Sequence, residues 1–463
     1  MAEEIHTEDV ALFQRTPVNT AVEEINWVEY KPCYMDKDGL SAVEFSITGN
    51  ATEYIDLART ELHVRVRLVK DDGTAFGSDE SVLPINMILH TMWSGVDVEL
   101  NKTLVSTSGT NYMYKAGIEC LLNYSKEVQR QQMTSIGMVV DETNFDARFL
   151  EDNTNAKNVT VGLNPGIASR INMFKNNVAE FVGPLLADIC NQERSILNAV
   201  DIDITLTPNK DAFRLITSKD GFKCKMLIED IYLSVCKVIP TPSVMSGHTL
   251  GLNTTSGKYP YQKSEVRTVT IPAGYLGETI ENIYKGVIPS RLVVGMVDSR
   301  AYHGSFGRNP MKFDHFNLES MCLYVNGKPT PKKPFSIDVE NNRYLDAMLS
   351  VYRATGKLWE NIDLCIDRQT WKDGLSLIAF DLDPTSAPDF RYIGKPKFGH
   401  TRLDLSFKTA LAQPIVLILY ATFPARVEID QARVVTSLEA KDLMQELIFA
   451  KTKNPYPATA PEE

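Results

Sequence analysis

Two stretches of the chain, one in each half, repeat the same order of local patterns, and this repeat limits the possible folds more than any other feature. "VDVELNKTLV" has the pattern of a strand that reaches a turn at Asn101, and a helix-like stretch begins near Tyr112. "SMCLYVNGKP" has a strand that reaches a turn at Asn326, and a helix-like stretch begins near Tyr344. The likeness lies in the order of the elements, with little residue identity. It predicts two copies of one β-rich unit, side by side in one chain.

The hydrophobic pattern of the rest of the chain is that of an all-β protein. In "ELHVRVRLVK" (61–70) apolar and polar residues alternate, which is typical of a strand with one buried face. Gly, Pro, Asn and Asp separate most such runs, and helical periodicity is scarce. This combination favours a β-sandwich, barrel or jelly roll over alternating β and α units. Similar strand-like runs occur at 199–208, 226–240, 265–274, 290–298, 375–384, 401–408 and 414–423.

The domain organisation follows from length and local composition. A chain of 463 residues is long for a single core, so two large domains are expected. The stretch between the halves is rich in Gly, Pro, Ser and Thr, which predicts a linker. The predicted division is an N-terminal arm (1–26), a first sandwich (27–240), a linker (241–263), a second sandwich (264–435) and a C-terminal helix and tail (436–463).

The C-terminal helix is predicted from a capping pattern and an apolar stripe. Thr436 and Glu439 have the spacing of a capping box. Leu443 with Leu447, and Met444 with Ile448, then repeat at helical spacing. A lone helix of this length is marginal in water, so its apolar stripe needs a partner surface. We expect that surface to lie on a neighbouring subunit or another protein, with packing against its own sandwich as the alternative.

Composition argues against several classes of protein. The formal net charge of −11 does not favour a long-range field that attracts nucleic acid, so no sequence-specific nucleic-acid partner is expected. The seven cysteines contain no C-x-x-C and lie mostly in apolar runs, which indicates reduced, buried thiols. The N-terminus has no secretory pattern, and no apolar run approaches the ~20 residues of a membrane span.

Two motifs that could bind phosphate or metal are weak. "GLNTTSGKY" (251–259) resembles a phosphate-binding loop, but its spacing is one residue too long and Tyr replaces Ser/Thr, so a linker is favoured. Asp201 with Asp203, and Asp381 with Asp383, each place two carboxylates on one strand face. Without a third ligand nearby in the sequence, an exposed polar face is the favoured interpretation.

Residues that could carry acid–base chemistry are equally weak candidates. His303, Asp314 and His315 lie close together in sequence and could exchange protons, but no activated Ser or Cys motif accompanies them. A structured loop is the favoured interpretation there. The basic stretch "GKPTPKK" (327–333) could contact phosphate or an acidic partner, but a solvated loop is favoured. The expectation is no enzyme, with no catalytic, cofactor-binding or metal site and no cofactor.

Five stretches then resemble a known family, the major capsid proteins of Polinton (Maverick) elements and adintovirus-like viruses. The similarity runs from about Trp27 to Val435, and both the order of the stretches and their residues match. Relatives of this family include adenovirus hexon and the capsid proteins of tailless double-stranded DNA viruses. The C-terminal end, "NPYPATAPEE", has no counterpart in the resemblance. The matching stretches are "WVEYKP" (27–32), "EYIDLARTELHVRVRLV" (53–69), "PINMILHTMWSGVDVELNKTLVS" (84–106), "YMYKAGIECLLNYS" (112–125) and "FGRNPMKFDHFNLESMCLYVNGKPTP" (306–331).

The resemblance implies a fold and a role. It implies an all-β chain of two tandem eight-stranded jelly rolls, with a few short helices in long loops. Three chains would form a homotrimeric, pseudo-hexagonal capsomer that tiles an icosahedral shell around double-stranded DNA. Capsomers would contact each other and, through the chain termini at the inner base, minor capsid or penton proteins. The protein would be made in the host cytoplasm and reside in the virion, with assembly in the nucleus or cytoplasm.

A second function is kept as an alternative, a jelly-roll carbohydrate-binding protein or glycosidase. It would need an aromatic platform and two opposed carboxylates on a concave face. The four tryptophans, Trp27, Trp93, Trp359 and Trp371, do not cluster in the sequence, so the capsid interpretation is favoured.

Overall fold

The computed structural model describes ten stretches of the chain. Most of the predicted N-terminal arm and the end of the C-terminal tail lie outside them. The stretches are residues 20–36, 39–74, 76, 82–141, 145, 165–174, 176–217, 223–284, 286–383 and 394–453.

Strands dominate the described residues and fall into two sets. The first set comprises β1 (Val22–Tyr30), β2 (Val43–Ile47), β3 (Tyr54–Lys70), β4 (Val82–Pro84), β5 (Trp93–Leu100), β6 (Thr103–Thr107), β7 (Val178–Pro184), β8 (Ile202–Pro208), β9 (Leu215–Thr217) and β10 (Cys224–Pro240). The second set comprises β11 (Gly257–Ile271), β12 (Gly277–Glu281), β13 (Gly286–Ile288), β14 (Arg291–Asp298), β15 (Leu318–Val325), β16 (Lys328–Ser336), β17 (Ile378–Asp381), β18 (Lys397–Gly399), β19 (Thr401–Phe407), β20 (Ile415–Ile429) and β21 (Val435–Leu438).

The helices are short and lie between the strands. Two 3₁₀ turns, Gln132–Ile136 and Asp188–Asn191, accompany them. The α-helices are α1 (Ile88–Thr91), α2 (Tyr112–Asn123), α3 (Lys126–Arg130), α4 (Pro165–Met173), α5 (Asp211–Arg214), α6 (Pro242–Leu252), α7 (Ser299–His303), α8 (Leu345–Ala354), α9 (Lys357–Glu360), α10 (Arg368–Asp373) and α11 (Ala440–Lys453). Among the described residues, no helix combines the length and the apolar run that crossing a membrane requires.

The four large sheets have the same strand order in both sets. The first set forms β1-β10-β3-β7 and β2-β8-β5-β6, and the second forms β11-β20-β14-β17 and β12-β19-β15-β16, with β21 added beside β20. Neighbouring strands in all four sheets are antiparallel. Two facing four-stranded sheets in this order make an eight-stranded jelly roll. The predicted fold of two tandem jelly rolls is confirmed, and we call them the first and second jelly roll.

The alternating sequence pattern places one face of each strand in a core. In β3, Val64 and Val66 are buried, because they point between the two sheets. Arg65 and Arg67 alternate with them and both bind the carboxylate of Glu229 on β10, at 3.1 and 2.5 Å. The buried hydrophobic residues of both jelly rolls form one continuous cluster.

The repeated Asn turns are two equivalent hairpins. Asn101 and Lys102 join β5 to β6 with φ of 45° and 63°, and Asn326 and Gly327 join β15 to β16 with φ of 51° and 77°. Two successive residues with positive φ form the type I′ turn that matches the twist of a hairpin, and Asn and Gly adopt this conformation at low cost. The sequence repeat around Asn101 and Asn326 is therefore the same hairpin in the same place of each jelly roll.

The segment predicted as a linker contains regular structure. Residues 241–263 hold α6 and the first part of β11. Pro242 stands in the first turn of α6, where its missing N–H costs no hydrogen bond. No residue of α6 is buried, and the structure describes the whole helix. The division of the chain into arm, domains, linker and tail stays a prediction.

The start of each jelly roll lies beside its end. Val22 of β1 pairs with Pro240 of β10, and Gly257 of β11 pairs with Ile429 of β20. Because α6 connects Pro240 to Gly257, the entry to β1, helix α6 and the chain leading to α11 all lie at one end of the molecule. We call this end the base.

The predicted capping box of the C-terminal helix is wrong. Thr436 lies in β21, where it pairs with Glu428, and the helix begins three residues later than the prediction placed it. The N–H of Glu439 donates to Asp442 Oδ2 at 3.0 Å, so Asp442 supports the first turn instead. Backbone pairing with β20 therefore decided the conformation of Thr436, although the local sequence has the spacing of a capping box. Leu443 is buried, whereas the side chains of Leu447 and Ile448 lie outside the described residues.

Candidate functional site at the junction of the two jelly rolls

Helix α2 lies at the centre of the contact between the two jelly rolls. All of its residues except the last are buried, which is unusual for a helix in a loop. Gly117 lies directly against the methyl end of Met311 from the second jelly roll, so a larger side chain would need Met311 to move. Lys115 and Glu119 are one turn apart and project on the same side of the helix.

The first jelly roll supplies three charged groups to this contact. Lys115 Nζ lies 3.0 Å from Asp188 Oδ1 and 3.3 Å from Glu119 Oε1. It also donates a hydrogen bond to the backbone carbonyl of Leu186. Asp188 belongs to the 3₁₀ turn that follows β7. One ammonium group thus stands between two carboxylates, and all three side chains are almost completely buried.

The second jelly roll completes the cluster. Ser264 on β11 donates its N–H to Asp188 Oδ2 at 3.0 Å, and its hydroxyl is bonded to Asp188 and to Glu119 Oε1, the latter at 3.2 Å. Tyr420 on β20 donates its hydroxyl to Glu119 Oε1 at 3.1 Å. Both carboxylates are therefore held from both sides of the junction. We call Lys115, Glu119, Asp188, Ser264 and Tyr420 the junction cluster.

Burial and charge shift the titration of this cluster. Burial alone would lower the pKa of Lys115, but the carboxylates of Asp188 and Glu119 outweigh it and raise that pKa above its ordinary value. Burial, with the charge of Asp188 nearby, raises the pKa of Glu119 despite the attraction of Lys115. Burial also raises the pKa of Tyr420 well above its usual range, so its hydroxyl stays a donor.

Tyrosines on both sides extend the junction beyond the cluster. Tyr259 accepts the N–H of Leu197 at 3.1 Å, and Tyr261 donates to the carbonyl of Val105 at 2.9 Å. Further along the junction, the rings of Tyr114 and Tyr302 stack with centroids 5.8 Å apart, and Tyr302 donates to Asn111 Oδ1 at 3.0 Å. These contacts join β11 and helix α7 to the first jelly roll at several points along the junction. Their geometry fixes one orientation of the two jelly rolls.

The junction cluster is suited to holding structure rather than to catalysis. Removing one partner of a buried ion pair is costly, because the remaining charge has neither water nor a counter-charge. Ser264 has no histidine partner here; its hydroxyl is bonded to carboxylates of the cluster. The geometry therefore locks the two jelly rolls together.

The phosphate-loop-like and paired-aspartate motifs have ordinary structural surroundings. Residues 251–259 run from the end of α6 into β11, a turn followed by a strand. Asp201 accepts the N–H of Gly49 at 2.8 Å, and Asp203 pairs with Lys102 at 2.7 Å. Within the described part of the chain, no group of three or more His, Cys, Asp or Glu residues is arranged to hold a metal ion.

The second aspartate pair is likewise held locally. Asp381 accepts the N–H of Asp383 at 3.1 Å, and Asp383 lies 3.4 Å from Lys397 Nζ. Burial raises the pKa of Asp381. The basic stretch 327–333 spans the hairpin turn and the exposed start of β16.

The candidate acid–base residues are each engaged in their own turn. His303 Nδ1 lies 2.7 Å from the carbonyl of Ser299, one turn earlier in α7. Asp314 pairs with Lys312 at 3.1 Å, and His315 Nδ1 accepts the N–H of Asn317 at 3.1 Å. Burial lowers the pKa of His315.

The tryptophans give no support to the carbohydrate alternative. Trp93 and Trp371 are fully buried, and Trp371 donates to the carbonyl of Leu377. Trp27 and Trp359 are exposed but belong to different jelly rolls. A stacking platform for a sugar needs neighbouring exposed rings, and the two exposed tryptophans lie on different jelly rolls.

The sequence prediction missed the junction cluster, although one of its signals was present. "YMYKAGIECLL" is apolar except for Lys115 and Glu119, and two opposite charges one turn apart in such a helix indicate a buried pair. Asp188, Ser264 and Tyr420 gave no signal, because they meet only through the tertiary fold.

The sequence of the chain has limited similarity to known proteins. No family model matches the chain. An uncharacterised protein of Caenorhabditis elegans, F54H12.2, is 25% identical over 357 residues, covering 74% of this chain and 80% of that protein.

Several solved virus structures have the same fold at low sequence identity. A chain of the Sputnik virophage matches with a TM-score of 0.58 and 11% identity, covering 99% of this chain and 97% of that one. The Faustovirus major capsid protein matches with 0.56 and 9%, covering 90% and 92%. A chain of the PBCV-1 virus capsid matches with 0.54 and 9%, covering 92% and 98%. The chain thus has the double jelly-roll fold found in viral major capsid proteins.

Proposed function

We propose that this chain is a major capsid protein that forms homotrimeric, pseudo-hexagonal capsomers and tiles an icosahedral shell around double-stranded DNA. The observation that carries the proposal is the junction cluster, which locks two jelly rolls of identical strand order into one unit. Three such chains offer six similar wedges around a three-fold axis, so they can fill a six-fold lattice position. The fold shared with viral capsid structures supports this role.

The proposed kinship is with Polinton and adintovirus-like elements. It rests on the sequence stretches that resemble that family, among them "PINMILHTMWSGVDVELNKTLVS". A nematode relative is consistent with a family that occurs in animal genomes. The proposed location is the virion shell, after synthesis in the host cytoplasm and assembly in the nucleus or cytoplasm. The proposed partners are further copies of the chain and, at the base, minor capsid or penton proteins.

We also propose that the protein is not an enzyme. The motifs that could have carried chemistry are the phosphate-loop-like stretch, the two aspartate pairs and the group of His303, Asp314 and His315. Each of them takes part in a local turn, strand or ion pair. A shell protein needs rigid subunits and extensive contacts between them, and the buried junction supplies that rigidity.

Electron microscopy of the purified full-length protein tests the proposal. The expected result is three-fold particles with a pseudo-hexagonal outline that assemble into closed shells or hexagonal arrays as concentration rises. Sedimentation should give three times the 51.9 kDa mass of one chain. A monomer that never assembles, or one that binds or hydrolyses glycans, would contradict it.

A further inference from the structure

The junction inside the chain has two complementary sides. The first jelly roll contributes α2 and the loop that follows β7, which carries Asp188 and Leu197. The second contributes the edge strand β11, which buries Tyr259, Tyr261 and Ser264 against that surface. Because both jelly rolls have the same strand order, each side of this junction has a counterpart elsewhere in the chain.

The counterpart of β11 is β1, the edge strand of the first jelly roll, and it is uncovered. All nine of its residues are described, and none of them is buried. Trp27 is 54% exposed and Val28 is 38% exposed. A tryptophan this open on a strand edge is a typical interface residue, since burying it gains a large apolar area.

The counterpart of the loop after β7 is the loop after β17, which leads into β18. Among its described residues Asp383 and Pro396 are buried, whereas Lys395 is exposed. Phe398 on β18 is 46% exposed, whereas the corresponding loop of the first jelly roll buries Asp188 and Leu197 in the junction. The counterpart of α2 is α8, whose Asp346 and Arg353 side chains are exposed at 65% and 43%. Edge strand β1 is thus more open than β11, and Phe398 and the outer side of α8 are more open than the junction side of the first jelly roll. The other side of α8 is buried in its own jelly roll.

The two open surfaces carry opposite charge. Glu23, Glu24 and Glu29 are exposed around Trp27 on β1. Lys395 and Lys397 are exposed beside Phe398, and Lys397 also lies 3.4 Å from Asp383 of its own jelly roll. Opposite charges around apolar centres favour the correct partner and speed its association.

We infer that the β1 surface (Glu23, Glu24, Trp27, Val28, Glu29) of one copy docks on the β18 surface (Lys395, Lys397, Phe398) of a second copy of this chain. The contact between chains then repeats the contact within a chain. A head-to-tail contact of this kind closes into a ring when its rotation divides the circle, and three two-unit chains complete a six-unit ring. The inference rests on the proposed trimer and names the residues that form it.

Two arginine substitutions test the apolar centres. Trp27→Arg and Phe398→Arg should each raise the concentration needed for half-maximal trimer in sedimentation by about 100-fold or more, as expected for interface anchors. Leu250→Arg is the matched control, because Leu250 is 68% exposed but lies on α6 at the base. Circular dichroism spectra like that of wild type would show that the variants still fold, since all three side chains are exposed.

A charge exchange tests the pairing of the two surfaces. The variant Glu24→Lys/Glu29→Lys should dissociate more readily than wild type, and Lys395→Glu should do the same. Lys397 is left unchanged, because it also pairs with Asp383 of its own jelly roll. Mixing the two variant proteins cannot restore a full ring, but combining all three changes in one chain should restore the trimer. Restoration identifies these surfaces as partners, which loss of assembly alone does not.

The outcomes separate this inference from the proposed function. A wild-type trimer that survives both arginine substitutions and both charge reversals would overturn the docking inference while leaving the capsid role in place. A wild-type chain that stays monomeric and forms no shells would overturn the capsid role itself. Trimer loss in the Leu250 control alone would place the interface at the base and contradict the inference.

Discussion

At the scale of single residues, the molecule depends on a few buried polar side chains. Lys115 is the central one, because its ammonium group neutralises two carboxylates that come from different elements. A sequence pattern can mark Lys115 and Glu119 as a pair on one helix face. It cannot identify Tyr420, which reaches Glu119 across 301 positions of the chain.

Replacing Lys115 with methionine should destabilise the protein strongly. The change leaves Asp188 and Glu119 buried without a counter-charge, which typically costs about 3–5 kcal/mol of unfolding free energy. Urea titration followed by circular dichroism measures the loss. The matched control is Lys102→Met, since Lys102 pairs with Asp203 at the surface and should be nearly neutral. Equal effects of the two changes would show that the cluster does not hold the junction.

The buried His90 should make stability depend on pH. Burial, with the charge of Lys115 nearby, lowers the pKa of His90 to about 3, whereas the unfolded side chain titrates near 6.5. Its ring nitrogen Nδ1 lies 3.1 Å from the hydroxyl of Tyr112, which is also buried. Between these two pKa values the unfolded chain binds the proton and the folded chain does not, so stability falls as pH drops below about 6.5.

From pH 7.5 to 5.0 the loss attributable to His90 should be roughly 2 kcal/mol. His90→Gln removes this titration, so its melting temperature should fall less than that of wild type over the same range. Other titrating groups are common to both proteins and cancel in the comparison. Parallel melting curves for the two proteins at both pH values would refute the assignment to His90.

At the scale of elements, local patterns predicted the strands and turns well and their tertiary surroundings poorly. The alternation in β3 and the long apolar run of β20 marked these strands because burial on a pleated surface imposes a period of two. The segment containing α6 carries Gly, Pro, Ser and Thr, and its sequence did not indicate the exposed helix that it contains, since little apolar periodicity is needed where nothing is buried. Thr436 joined a strand because β20 offered it a backbone partner.

The hairpin turn after β15 offers a test at this scale. Gly327 has φ of 77°, and no atom lies within 4 Å of the position that a Cβ would take, so Gly327→Ala changes only the backbone energy. A residue with Cβ in this conformation costs about 1 kcal/mol, so the free energy of unfolding should fall by that amount. Gly247→Ala is the matched control, because Gly247 lies inside α6 with open space around it.

In a helix, alanine is favoured over glycine by about 0.5–1 kcal/mol. The same chemical change should therefore stabilise the protein at position 247 and destabilise it at position 327. Chemical denaturation of both variants measures the difference. A destabilised Gly247 variant would show that α6 does not form in solution.

At the scale of the whole molecule, the duplication determines the architecture, and the termini determine what the base can contact. The order of elements in the sequence predicted two copies of one unit, because each copy needs the same hairpin and the same punctuation of strands. The orientation of the two copies was beyond the sequence, since it depends on contacts such as Ser264 with Asp188 that join distant segments.

The C-terminal helix α11 is attached to its own jelly roll at its first half. Arg426 binds Glu446 through both carboxylate oxygens, at 2.9 and 2.7 Å, and Leu443 is buried. The first half of α11 is thus anchored on its own jelly roll, which supports the alternative that the helix covers its own sandwich. Residues 447–463 follow the anchored part.

Deleting residues 447–463 should preserve the trimer and its melting temperature, because Leu443 and Glu446 remain in place. If the tail links capsomers at the base, the truncated trimers should fail to form closed shells under conditions in which wild type assembles. Electron microscopy with sedimentation of the same samples separates the two steps. Glu446→Ala is the matched control, since it removes the anchor and keeps the tail, and it should lower the melting temperature slightly while shells still form. Normal shells from the truncated chain would assign α11 to its own jelly roll alone and leave the linking role to other parts of the base.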